Sequence, residues 1–480
     1  MTTTLSAEAV PLHSAEHGYR YRWLVLAVVL IADVMDLLDS TVANIAGPSI
    51  RRSIGGSEST LQWVLAAYTL TFAVGLITSA RAGDLFGRRR LFLIGMIGFT
   101  VASLLCGLAP SAGLLIAARV AQGLFGAVMI PQGLAMVKAS FSEADIQKAF
   151  IPFGPVMGLA AVLGPILAGF LLKADLFGSG WRSIFWINLP VGVVASYLSL
   201  KYLPRNLERD KAARLDPVGT VLLTAASALL IYPLVQGHVE GWPGWMFGML
   251  AASAVLFGAF VVSERRSAHP VIEASLFANR SFVGGIVFLG TFFTAMSGFM
   301  LTINLFMQYG LHFTPMHTGI AMSPWALGMA IGAGASGAVL GEKFGRRVLH
   351  GGLLVLGAGV ATTWWSIGHS GMAIGGWGLA PGFIIMGLGT GVIFAPLFDI
   401  ILASLADSEL GSGSGLLNAV QQFCGALGVA VLGTIFFQVL PDKGFVDSIR
   451  ELVLIGLGCY AVSFLVVFLL PMRAGAELTH

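Results

Sequence analysis

Apolar stretches of about twenty residues recur along the whole chain, which is the length a helix needs to cross the ~30 Å hydrocarbon core of a bilayer. Fourteen such blocks lie near 23–47, 60–80, 91–109, 113–137, 151–172, 184–203, 216–236, 244–263, 281–309, 317–340, 348–368, 375–400, 413–440 and 451–471. Inside hydrocarbon every backbone polar group must be satisfied within the protein, so blocks of this length read as helices. The composition agrees: 56% of the 480 residues are hydrophobic and 11% are charged, against about 25% charged in soluble proteins. The expected class is an all-α polytopic membrane protein. Residues 1–20 are polar and show no cleavable leader, so the first block is expected to serve as the insertion signal. Cys106, Cys424 and Cys459 all fall inside apolar blocks, which argues for packing rather than a disulfide framework.

The placement of Lys and Arg sets the expected orientation. With a cytoplasmic N-terminus, the inside segments carry twenty of them and the outside segments six, Arg119 lying within a span. Both termini are therefore expected in the cytoplasm, with the protein multi-pass in the inner (plasma) membrane. Pro204–Asp216 is the most charged run and reads as a solvated linker. Two short patterns then repeat in order. GDLFGRRR (Gly83 to Arg90) returns as GEKFGRR (Gly341 to Arg347), and GAVMIP (Gly126 to Pro131) as GVIFAP (Gly391 to Pro396), at offsets of 258 and 265 residues. The organisation is thus a tail (1–22), a six-helix bundle (23–203), a linker with two inserted helices (204–280), a second six-helix bundle (281–471) and a tail (472–480).

The residues at these repeats carry a resemblance. Asp84, Gly87, Arg88 and Arg89 resemble the loop signature of the major facilitator superfamily, although Ala80, Ala82 and Leu85 depart from it. With Glu342 and Arg346 in the second copy, they are expected to form a conformational latch: glycine makes the short turn and acids beside arginines supply exchangeable ion pairs. Arg119, Gln122, Gly123 and Gly126 are similar to the family's fourth-span signature. Gly154, Gly158, Gly164, Pro165 and Gly169 resemble the signature associated with antiporters. Asp39-Ser40-Thr41-x-x-Asn44-x-Ala46-x-Pro48, the run Trp181 to Pro190, and Gly411 to Asn418 followed by Gln421 and Gln422 resemble the fourteen-span drug–proton antiporter branch. The resemblance implies a major facilitator fold: two six-helix bundles plus two inserted helices, fourteen transmembrane helices in all.

The first block also carries three aspartates, Asp33, Asp36 and Asp39. A charge at mid-bilayer costs about 2.5–3.5 kcal/mol on insertion scales, so each should face a protein interior or a watery cavity. At about 100° per residue, Asp33, Asp36, Ser40 and Asn44 share one stripe and Asp39 lies beside it. Arg119 is about five residues from its outer end and Asp39 about eight, ~8 and ~12 Å deep, so the two can pair. The resemblance accounts for Asp39 alone. Three neighbouring carboxylates in a low dielectric should not all ionise near neutral pH. Asp33, Asp36, Asp39 and Arg119 are therefore the expected proton-coupling group, with protons as the coupling ion and no other cofactor. Ser40, Asn44, Gln62, Tyr68, Gln122, Asn304, Gln308, Asn418, Gln421 and Gln422 are candidates for the substrate path.

No phosphate-binding loop, HExxH zinc motif or serine-triad signature is present, so neither ATP-driven transport nor an enzyme is expected. No catalytic residue, metal site or nucleic-acid partner is expected either; the partners are a small molecule and the bilayer, and the protein is expected to work as a monomer. The expected function is proton-coupled efflux of an amphipathic drug or secondary metabolite, cationic in one version, by alternating access. A proton-independent facilitator or importer of a polar metabolite is the alternative.

Overall fold

The computed structural model describes residues 19–55, 57–142, 145, 148–149, 152–204, 216–267, 274–406 and 409–472. The linker run 205–215, and residues 1–18 and 473–480 of the two tails, lie outside the described residues. Among the described residues all regular structure is helical. Ten helices are long and apolar enough to cross a membrane.

The first bundle holds α1 (Arg22–Ile54), α2 (Glu58–Phe86), α3 (Arg88–Leu108), α4 (Ala112–Ser140), α5 (Phe153–Ala174), α6 (Ser183–Trp186) and α7 (Asn188–Tyr202). The inserted pair is α8 (Pro217–Glu240) and α9 (Gly244–Arg266). The second bundle holds α10 (Ala274–Ala278), α11 (Arg280–Leu305), α12 (Pro315–Ala335), α13 (Gly341–Phe344), α14 (Arg347–Ser370), α15 (Gly376–Leu402) and α16 (Leu410–Val466). Local chemistry explains several boundaries. Asp216 caps α8, its side chain accepting from the Gly219 N–H at 2.9 Å, and Asn279 caps α11 through the N–H groups of Ser281 and Phe282. Such caps satisfy donors that have no partner within the helix. Three expected spans look different in the structure. The block at 184–203 is interrupted at Ile187, between α6 and α7. The last two blocks run together as one 57-residue helix, broken only at Gly444, whose φ of 71° is left-handed.

The repeat seen in the sequence is built as matching turns. Gly87 (φ 95°) alone separates α2 from α3, and Gly345 (φ 53°) performs the same reversal between α13 and α14. Glycine adopts such angles without steric cost. One arginine of each turn bonds carbonyls of its own bundle. Arg89 donates to the Leu200 carbonyl at 2.7 Å, at the end of α7. Arg346 donates to the carbonyls of Phe468 (2.9 Å) and Leu470 (2.6 Å), just past α16. A guanidinium at a helix C-terminus satisfies orphan carbonyls and complements the helix dipole. The side chains of Asp84 and Glu342 lie outside the described ones, so the expected acidic halves of the latch are not part of this picture. The same end of the molecule holds the start of α1: the Tyr19 N–H bonds the Ser140 carbonyl and Arg22 pairs with Asp145 at 3.3 Å. A hydrogen bond from Lys148, reinforced by the charges of Lys148 and Arg22, holds the Asp145 carboxyl below the usual carboxylate range.

Call this the terminal end; the far end is opposite. The two bundles pack on each other along two seams, α5 against α12 and α2 against α16. Small residues make the first seam possible. A Cβ at Gly319 would come within 2.2 Å of the Pro165 carbonyl oxygen, and one at Gly169 within 2.5 Å of Met316 Cα. Close backbone approach of this kind is how helices gain packing energy where lipid supplies no hydrophobic drive. The inserted helix α8 packs on α2 and α16 and so covers the second seam. Gly319→Leu is expected to part α5 from α12. The check is the yield of a disulfide between cysteines placed at Phe170 and Met316, which face a common groove on this seam; a yield equal to that of the parent would contradict the packing described.

Candidate functional site

The site is organised by Arg119 of α4, which is 1% exposed. Its Nη1 donates to Asp39 of α1, and to Gln122 Oε1 at 2.8 Å; its Nε donates to the Val64 carbonyl of α2 at 3.0 Å. The guanidinium lies over the Tyr68 ring, 4.2 Å from its centroid, in cation–π geometry. Asp39 is equally enclosed, at 3% exposure. Its Oδ1 accepts from Gln122 Nε2 at 2.8 Å and from Asn188 Nδ2 at 3.0 Å. Gln122 and Asn188 each donate in addition to the Ser103 hydroxyl, at 2.7 and 2.9 Å. One network thus ties α1, α2, α3, α4 and α7 together. Removing two charges from water is costly, and a buried pair persists where further hydrogen bonds occupy its remaining donors and acceptors. That condition is met on both oxygens of Asp39.

Asp36 has a different environment. It is partly exposed, and its one hydrogen bond among the described residues comes from the Tyr68 hydroxyl. Tyr68 is 1% exposed. It therefore joins the enclosed pair, through its ring, to the accessible carboxylate, through its hydroxyl. Gly126 of the fourth-span signature leaves room for Phe72, since a Cβ there would sit 2.9 Å from the Phe72 ring; Asp36 Oδ1 would be at an ordinary contact distance of 3.5 Å. Asp33, one turn earlier, is also partly exposed and makes no hydrogen bond with a described residue.

The other expected residues divide into groups. Gln122 and Tyr68 belong to the network. The Ser40 hydroxyl turns back to the Leu37 carbonyl at 2.9 Å, and Asn44 Nδ2 to the Ser40 carbonyl at 3.4 Å. Asn418 is exposed and donates to the Ser414 carbonyl at 2.9 Å, while Gln421 and Gln422 are partly exposed. Gln62, Asn304 and Gln308 do not line open space; all three are buried in contacts between the bundles at the far end. In the antiporter-like run, Gly164 faces Thr41 and Leu38 of α1, and Gly169 faces α12. Gly154 and Gly158 lie in α5, with surroundings outside the described side chains. Asn188 and Ser103 are the members of the network that the sequence reading left unassigned. Asn188 stood in the run resembling the antiporter branch, and the α6–α7 break is what delivers it to Asp39; Ser103 carried no signal. Among the described residues, no group of three metal-ligating side chains occurs.

Two helical bundles in tandem, with a buried ion pair beside an accessible acid, define a membrane transporter of the two-bundle type. The sequence profile described as Major Facilitator Superfamily matches residues 29–429, and the chain belongs to that family. It is 46% identical over 429 residues to the "Probable actinorhodin transporter" of Streptomyces coelicolor, covering 88% of this chain and 74% of the relative. It is 35% identical to the puromycin resistance protein pur8 of Streptomyces alboniger, covering 89% and 84%. It is 32% identical to the tetracenomycin C resistance and export protein of Streptomyces glaucescens, covering 90% and 80%. Among solved structures, a POT family transporter in complex with 5-aminolevulinic acid aligns with a TM-score of 0.66 at 14% identity, over 91% of this chain and 94% of that one. The human organic anion transporter MFSD10 aligns at 0.60 and 17% identity, over 93% and 99%. At these identities the likeness speaks for the fold alone.

Removing one partner of a saturated buried pair strands the other. Arg119→Ala is expected to cost about 3–5 kcal/mol of stability, whereas Asp36→Asn, which changes one accessible hydrogen bond, costs about 0.5–1.5 kcal/mol. Unfolding midpoints of the purified proteins check the contrast; equal losses would mean that Asp36 is as structural as Arg119.

Proposed function

We propose that the protein is a proton-coupled antiporter that exports amphipathic antibiotics or related secondary metabolites, including cationic ones, by alternating access. The single observation that carries this reading is the unequal treatment of the aspartates. Asp39 is held by Arg119, Gln122 and Asn188, whereas Asp36 is partly exposed and, among the described residues, is bonded by Tyr68 alone. Asp39 and Arg119 then act as the fixed frame. Asp36, with Asp33 on the same stripe, takes up and releases the proton. Proton and cargo compete for the same carboxylates: protonation from outside expels the cargo, and deprotonation towards the cytoplasm readmits it. Proton entry contributes about 2.3 kcal/mol per charge per 100 mV.

Relatives named for actinorhodin, puromycin and tetracenomycin C support the cargo class. The fourteen-crossing topology belongs to the same reading. It counts α1, α5 and α12 as spans beside the ten apolar helices, and the two parts of α16 on either side of Gly444 as separate crossings. Both termini are then cytoplasmic and the protein lies in the plasma membrane, working as a monomer.

The test is efflux from proteoliposomes with an imposed pH gradient, using puromycin and a planar polycyclic quinone as cargoes. Asp36→Asn is expected to lower gradient-driven efflux at least about tenfold, or about 1.4 kcal/mol, and Asp33→Asn to lower it less. Efflux by the parent protein at the same rate with and without the gradient would instead favour the proton-independent facilitator.

A further inference from the structure

At the far end the bundles are joined by amide side chains that donate to backbone carbonyls of the opposite bundle. Asn304 Nδ2 of α11 donates to the Asn44 carbonyl of α1. Gln308 Nε2, in the π-helical turn that follows α11, donates to the Ile45 carbonyl at 2.8 Å and to Asn304 Oδ1 at 2.7 Å, which fixes the orientation of the Asn304 amide. From the other side, Gln62 Nε2 of α2 reaches the carbonyls of Val429 and Ala430 and the Thr434 hydroxyl of α16, at 3.3, 3.4 and 3.4 Å. Gly433 makes room for it, because a Cβ there would stand 2.2 Å from Gln62 Nε2. The exchange is reciprocal, with each bundle supplying amides to the other's main chain.

The Asn44 carbonyl is available for a specific reason. In an α-helix it would accept from the N–H four residues later. That residue is Pro48, inside α1, and proline has no N–H. The acceptor is therefore orphaned by α1 itself, at a partly buried position between the bundles where an unsatisfied carbonyl is disfavoured. Asn304 satisfies it from the opposite bundle.

We propose that Gln62, Asn304 and Gln308 are positioning residues of the transport cycle, an amide clasp that stabilises the far-end-closed state, and that Pro48 creates the acceptor on which the clasp closes. The inference rests on the alternating-access reading above. All three donors are neutral, so the clasp itself holds irrespective of protonation, and opening of the far end requires water to replace each bond.

The test uses the full-length protein in lipid nanodiscs, with its native cysteines replaced and spin labels on Ser53→Cys and His317→Cys, exposed residues of the two bundles at the far end. Distances are read without cargo or pH gradient, so the outcome does not depend on proton coupling or cargo choice. Asn304→Ala is expected to shift the closed-to-open ratio towards open at least about fivefold, and Gln62→Ala in the same direction. Pro48→Ala restores the helical N–H, and in that background Asn304→Ala should have little further effect. The proposal is overturned if Asn304→Ala leaves the distribution unchanged, or shifts it equally with and without Pro48→Ala. Should Asn304→Ala fail to fold, Gln62→Ala decides: an unchanged distribution overturns the clasp. Loss of the clasp with gradient-driven efflux intact, or the converse, separates this proposal from the proposed function.

Discussion

A guanidinium cannot be stored in the interior of a membrane protein without partners, and the first bundle is arranged around that fact. Arg119 reaches α1 through Asp39 and α2 through both the Val64 carbonyl and the Tyr68 ring. Gln122 and Asn188 complete the coordination of Asp39 and share Ser103 between them. Five helices are thus held in register by one charge pair. The arrangement also separates the acids of the first helix: Asp39 is held in the ion pair, while Asp36 and Asp33 lie outside it and are partly exposed.

Much of this was legible in the sequence, for physical reasons. A twenty-residue apolar block can do little but cross lipid as a helix, so the fold class followed from length. The turn at Gly87 was legible because a short reversal between helices favours glycine, and the repeat placed a second such turn within Gly341 to Arg347. The Asp39–Arg119 pairing followed from depth, since two opposite charges at similar heights in hydrocarbon have few alternatives. What could not be read was direction. Ser40 and Asn44 share a stripe with the acids, yet Ser40 and the Asn44 amide turn to their own helix backbone. Gln62, Asn304 and Gln308 looked like path residues because they are polar in apolar blocks, but polarity alone does not distinguish a cavity wall from a seam. Ser103 illustrates the limit: a hydroxyl in a span gives no hint of which amides will share it.

The two copies of the repeat are chemically unequal. The first concentrates the charge, while the second presents aromatic packing, with Phe292 against Phe288, Phe293, Phe394 and Tyr460. What the copies retain in common is an arginine just after the glycine turn, at adjacent rather than matching positions, that bonds carbonyls at the end of the last helix of its bundle: Arg89 on Leu200, and Arg346 on Phe468 and Leu470. These bonds tie the glycine turn of each bundle to the end of its last helix.

The inserted pair breaks the symmetry in another plane. Helix α8 lies over the seam of α2 and α16, and its Leu234 carbonyl accepts from Thr434. The seam of α5 and α12 presents Leu159, Leu163, Phe170, Ile320 and Leu327 as exposed residues. Seen from within the bilayer the protein therefore has a front and a back. A molecule dissolved in the lipid and drifting sideways meets a helical shield on one flank and bare seam on the other.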